Sequence, residues 1–81
     1  MMEPSEVERL ITDGMQVEDI SVVGDGQHFE ARIVSPEFDD KSPLQRQRLV
    51  NAVLKAHFDS GKLHALAMQT LTPEEAAQQD N

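Results

Sequence analysis

The sequence predicts a small α/β domain in which a β-hairpin and one further strand are interleaved with helical segments. Three observations carry that expectation. The turn Gly24-Asp25-Gly26-Gln27 separates two apolar runs, and aspartate–glycine in that setting is a strong hairpin signal. Helix-start chemistry recurs at Pro4, at Ser42-Pro43 and at Pro73, with acids or a capping hydroxyl beside each proline. Between Ser60-Gly61 and Thr72-Pro73 lies a run, Leu63–Leu71, too short for a typical helix and bounded by turn residues on both sides, which reads as the third strand.

Taken in order, the acids Glu3, Glu6 and Glu8 suit the positive end of a first helix, and Val7, Leu10, Ile11 and Met15 form one apolar stripe along it. Asp13-Gly14 ends this helix, with the glycine available for a left-handed cap. Val17–Val23 reads as strand one. The returning strand, His28–Ser35, alternates: Phe29, Ala31 and Ile33 share one face, and His28, Glu30, Arg32 and Val34 the other. Pro36 closes it, and Glu37–Lys41 is a loop under which Phe38 is expected to tuck. Ser42 is the N-cap of the second helical region and Pro43 its first residue. Leu44, Val50, Val53, Leu54 and Phe58 supply its apolar side. The sequence leaves open whether this region is continuous or broken near Gln47. Strand three and a small C-terminal helix follow, with residues 78–81 expected to fray.

A hairpin leaves one partner for the third strand, and a long helical connection favours a parallel crossover. Strand two and strand three then begin at the same edge of the sheet, the first at His28 and the second at His64. Adjacent strands lie about 4.8 Å apart, so this topology brings two imidazoles to one edge.

Composition narrows the function. A chain of 81 residues forms one domain, residues 1–81, able to bury only about 60% of its unfolded surface. With three Phe and no Trp or Tyr, its core is built from aliphatic residues and methionine. The absence of cysteine removes disulfides, a self-contained thiolate zinc site and a cysteine nucleophile. Without an apolar stretch near 18 residues or a signal-peptide build, a soluble, cytoplasmic protein without membrane contact is expected. The net charge of −8 disfavours nonspecific nucleic-acid binding. Five of the seven basic residues nevertheless fall between Lys41 and Lys62, where Asp59 is the sole acid. That segment reads first as a solvated helix face and second as a nucleic-acid surface through Arg46, Arg48 and Lys55.

No enzyme emerges. The serines lack a positioned base, no carboxylate pair suggests acid–base chemistry, and Gly24-Asp25-Gly26 opens a strand rather than a helix, unlike a phosphate-binding loop. His57, near a helix C-terminus, reads as structural. Taken alone, His28 reads as an exposed hairpin residue and His64 as a strand residue. Together they offer two imidazoles, which can bind a transition metal but do not complete a site unless another molecule shares it.

The segments FDDKSPLQRQRLVNAVL and KLHALAMQTLTPEE resemble the BolA-like family, whose pattern has a phenylalanine-containing loop, Val-Asn on a helix, His-Ala-Leu opening the last strand, and Thr-Pro-Glu after it. Gly24-Asp25-Gly26-Gln27-His28-Phe29 is similar to the turn of its IbaG branch, and the likeness spans Val7 to Glu75. The resemblance implies a class II KH-like αββααβα fold, a three-stranded mixed sheet with helices packed on one face. It further implies a non-enzymatic adaptor that pairs with a monothiol glutaredoxin and shares a 2Fe–2S cluster, acting in iron–sulfur assembly or trafficking, or in iron and stress regulation. In that pattern His64 is the shared ligand and His28 the second candidate. The partner supplies thiolates from its own cysteine and from glutathione, and the free protein binds no cofactor. Leu66 and Met68, on the face of His64, are the expected partner surface. A KH-like DNA-binding regulator of stress response and cell morphology is the alternative, although no GXXG loop lies between the helices. Two departures stand out: Arg46-Gln47-Arg48 replaces Arg-His-Arg, and Glu75-Ala76-Ala77 carries no tryptophan.

Overall fold

The computed structural model describes residues 2–79. Helix α1 (Pro4–Gly14) leads into strand β1 (Asp19–Gly24) and strand β2 (His28–Val34). A short 3-10 turn (Pro36–Phe38), helix α2 (Pro43–Val53) and helix α3 (Lys55–Asp59) follow. Strand β3 (Ala65–Leu71) and helix α4 (Pro73–Gln79) end the chain. The order is the αββααβα that the family resemblance implied. The sheet runs β1-β2-β3, with β1 antiparallel and β3 parallel to β2.

Register decides what each face carries. Val22 pairs with Ala31 and Ile20 with Ile33, while Phe29 pairs with Leu66 and Ala31 with Met68. These positions point to one face, where they join Val7, Ile11, Val50, Leu54, Leu63 and Phe38 in the main core. Burial of this aliphatic set, about 25 cal/mol for each Å² of apolar surface, is what holds α1, α2 and α3 to the sheet. The opposite face exposes Ser21, Val23, Glu30, Ala67 and Gln69. Val34 belongs to that face by alternation yet is buried, because Ala76 of α4 packs with it and Leu71 in a second cluster. Helices α1 to α3 thus share the expected face, and α4 closes the far end of the other.

Several local expectations shift. Gly14 does not take a left-handed cap; the chain leaves α1 through an extended Met15. Its small size matters instead, since a Cβ there would lie 2.4 Å from Val53 Cγ1, so Gly14 permits close approach of α1 and α2. The second helical region breaks at Leu54 rather than near Gln47: Leu54 is fully buried with φ −100° and ψ 8°, and the helix restarts at Lys55. Leu44 is 54% exposed and Arg46 takes its expected place on the buried side. Phe38 is buried as expected. Ser42 caps α2 through the Gln45 amide, and Gln45 returns the bond to Ser42. Of the residues expected to fray, Gln78 and Gln79 belong to α4, and residues 80 and 81 lie outside the described residues.

Candidate metal and partner site

The parallel crossover brings the beginnings of β2 and β3 to one edge, as the topology required. The third strand opens one residue later than expected, at Ala65, which pairs with His28. The delay has a local cause. Gly61 adopts φ +79°, turning the chain out of α3, and the Leu63 amide donates to the His57 carbonyl (3.1 Å), tying the next residues to the helix end. The buried Leu63 anchors that turn, and His64 follows it, exposed and just short of the ladder.

His64 lines an open depression of about 470 Å³ with Met2 and Glu6 of the N-terminal segment, Gly26 and Gln27 of the hairpin turn, and Gly61 and Lys62. It therefore lies on the helix-bearing side, in step with Leu66 and Met68. Those two residues are half-buried and pack against the main core, so each combines core and surface roles. His28 is also exposed, but it alternates with Glu30 and Arg32 on the open face. The two histidines thus meet at one end of the sheet while leaving it on opposite sides.

The hairpin turn that carries His28 is held by Asp25. Its carboxylate accepts the amides of His28 and Gln27, each at 3.0 Å. These two bonds, His28 first, hold the Asp25 carboxyl below its ordinary value. The order of the turn and the position of His28 are therefore linked through one side chain.

The donor chemistry of this edge suits half of a shared site. Two imidazoles are present, the chain has no thiol, and among the described residues no three His, Cys, Asp or Glu side chains converge as a metal site would need. A tetrahedral centre here requires donors from another molecule.

The basic residues are distributed differently. Arg46 is 9% exposed. Its Nε donates to the Lys41 carbonyl (2.9 Å), and Nη1 donates to the Thr70 carbonyl (3.1 Å) and to Glu75 Oε1 (2.7 Å). Glu75 Oε1 also accepts the Thr72 amide, while Thr72 Oγ1 accepts the Glu75 amide, so the guanidinium clasps the cap of α4. The Arg46 bond, followed by the Thr72 amide, keeps the Glu75 carboxyl below its ordinary range. Lys55 is exposed and paired with Asp59 at 2.7 Å, while Arg48 is exposed. Sequence reasoning placed Arg46 on a surface; the available signal was the Thr72–Glu75 capping pair, whose acid has room for a second donor. His57 lies in the last turn of α3, and its backbone carbonyl accepts the Leu63 amide and the Ser60 hydroxyl.

A family model described as BolA-like protein matches residues 8–75. The acid stress protein IbaG of Escherichia coli K12 is 29% identical over 94% of this chain and 90% of its own length. Human BolA-like protein 1 is 48% identical over 62% of this chain, which corresponds to 36% of that protein. Among solved structures, a Bol-like protein from Babesia bovis matches with TM-score 0.85 and 33% identity, covering 100% of this chain and 96% of that one. A BolA homologue from Coxiella burnetii matches with TM-score 0.81 and 35% identity, covering 95% and 99%.

Proposed function

The chain belongs to the family of BolA-like proteins, and from that premise we propose that it is a non-enzymatic cytoplasmic adaptor that pairs with a monothiol glutaredoxin and co-ligates a 2Fe–2S cluster. The observation that carries this reading is the position of His64: exposed, on an open depression, at the edge it shares with the hairpin turn, in a chain without thiols. His64 is the principal ligand and His28 the second, reached around the strand ends. The partner contributes its own cysteine and that of glutathione, and imidazole ligation raises the potential of such a cluster relative to four thiolates. Leu66 and Met68, beside His64, border the contact. The role that follows is in iron–sulfur assembly or trafficking, or in iron and stress regulation.

Anaerobic reconstitution with a glutathione-loaded monothiol glutaredoxin tests this. A coloured heterodimer is expected, with a visible circular dichroism spectrum that His64→Ala abolishes and His28→Ala alters. A His64→Ala complex with wild-type spectrum and lifetime would remove His64 from the site.

The DNA-binding alternative draws little support from its candidate residues. Arg46 has its donors committed inside the fold, and Lys55 holds Asp59. A DNA titration at two salt concentrations separates the readings, since phosphate contacts give a clear salt slope that Arg48→Ala would flatten.

A further inference from the structure

Strand β3 is an edge of the sheet, and it lacks the usual protections of one. Between His64 and Thr72 there is no Lys, Arg, Asp, Glu, Pro or Gly. Exposed edges are ordinarily blunted by such residues, because their unpaired amides and carbonyls template another strand. The opposite edge follows the rule: β1 opens on Asp19 behind Glu18 and ends at Gly24.

Hydrogen-bond direction shows how much of the β3 edge is available. The Ser35 amide donates to the Leu71 carbonyl, so odd-numbered residues of β3 turn their backbone groups toward β2. Even-numbered residues turn theirs outward. Thr70 obeys this, and its outward carbonyl is taken by Arg46. Among the described residues, nothing outside the sheet bonds the outward amides and carbonyls of Leu66 and Met68.

The charges at the two ends of this neutral strand identify what fits it. The exposed cation Lys62 precedes β3, and the exposed acid Glu74 follows it. A strand laid antiparallel satisfies both ends if it too has a cation before it and an acid after it, and a second copy of β3 has that order. From this match we infer that the protein self-associates through β3, two copies pairing antiparallel about a two-fold axis at Ala67. Leu66 of each copy then exchanges both backbone bonds with Met68 of the other, extending the two sheets into one of six strands. Lys62 of each copy comes to the Thr72–Glu74 end of the other. Ala67 meets its own counterpart on the open face, where its methyl group is small enough for close approach. The ladder is short and each copy carries −8, so the dimer is weak and concentration-dependent. This inference stands whether or not His64 ligates a metal.

Sedimentation equilibrium of the full chain, metal-free and without partner, across a concentration series reads the association. A monomer–dimer equilibrium is expected. Ala67→Glu and Ala67→Lys, each placing like charges across the axis at an exposed site, should weaken it at least about tenfold. Mixing the two variants in equal amounts should restore it as a heterodimer. A chain that stays monomeric to millimolar concentration overturns the inference. So does a dimer that survives both charge variants, or a mixture that associates no better than either alone.

Discussion

Arg46 and His64 are both polar residues next to β3, and the fold treats them in opposite ways. Arg46 has carbonyls of two other segments and a carboxylate bound to its guanidinium, and it joins α2, β3 and α4. His64 stands in an open depression just outside the ladder. Engagement by the chain itself marks a residue that maintains the fold; exposure beside a constrained turn marks one free to meet another molecule. A cation in a basic segment is thus the structural element here, and a histidine in an apolar run is the functional candidate.

The sharpest way to break the contrast is at Arg46. Arg46→Ala removes a buried charge-assisted cluster and leaves the Thr70 and Lys41 carbonyls without their donor, so a loss of about 2–3 kcal/mol is expected. A lower urea midpoint at unchanged slope would report it. Arg46→Lys should recover only part, because an ammonium cannot reproduce the planar fork. His64→Ala should do the reverse: stability within about 0.5 kcal/mol of wild type, with the cluster signal lost. If His64→Ala destabilised as much as Arg46→Ala, His64 would belong to the fold and the contrast would collapse.

Acid titration separates the two regions along the pH axis. Glu75 has its folded-state value depressed below the ordinary 4.5, chiefly by the Arg46 bond. Its stabilising contribution is present above the unfolded value and is lost as pH falls through the lower, folded one. The clasp therefore fails only below about pH 4.5. Imidazole binds a metal only as the neutral ring, so ligation competes directly with protons. Cluster absorbance should then decline well before far-UV circular dichroism changes. Coincident transitions would mean that cluster loss follows unfolding rather than ligand protonation.

Much of the scaffold for this contrast was legible in the sequence because its signals are local. The Asp25-Gly26 turn, the Ser42 cap, the stop at Ser60-Gly61 and the period-two alternation from Phe29 to Ile33 each arise within a few residues. The parallel crossover followed from connection length. What escaped the sequence depends on distant partners. Arg46 is buried because Glu75, across the fold, accepts its guanidinium; Val34 is buried because Ala76 returns over it. Leu44 is exposed because Arg46 holds the inward position on α2. Gly14 owes its role to Val53, and composition alone cannot tell a close helix approach from a cap. At the site, topology gave the common edge of His28 and His64. The one-residue offset that sends their side chains to opposite faces comes from the turn tied down by Leu63 and Gly61.

The smallest expected effect tests whether that edge is a single site or two neighbouring histidines. Asp25 fixes the backbone amides of His28 and Gln27 through its carboxylate. Asp25→Ala should leave the core intact and accelerate hydrogen exchange at those two amides. Asp25→Asn, which keeps an acceptor oxygen, should retain most of their protection. Because the Asp25 carboxyl is held below its ordinary 3.8, the turn keeps its order as pH falls until that lower value is crossed, so acid alone cannot mimic the alanine variant at mildly acidic pH. In the reconstituted complex, a loosened His28 that shares the cluster should alter the visible circular dichroism while leaving the His64 bond in place. An unchanged spectrum alongside demonstrably faster amide exchange would assign ligation to His64 alone and reduce the hairpin to a wall of the site.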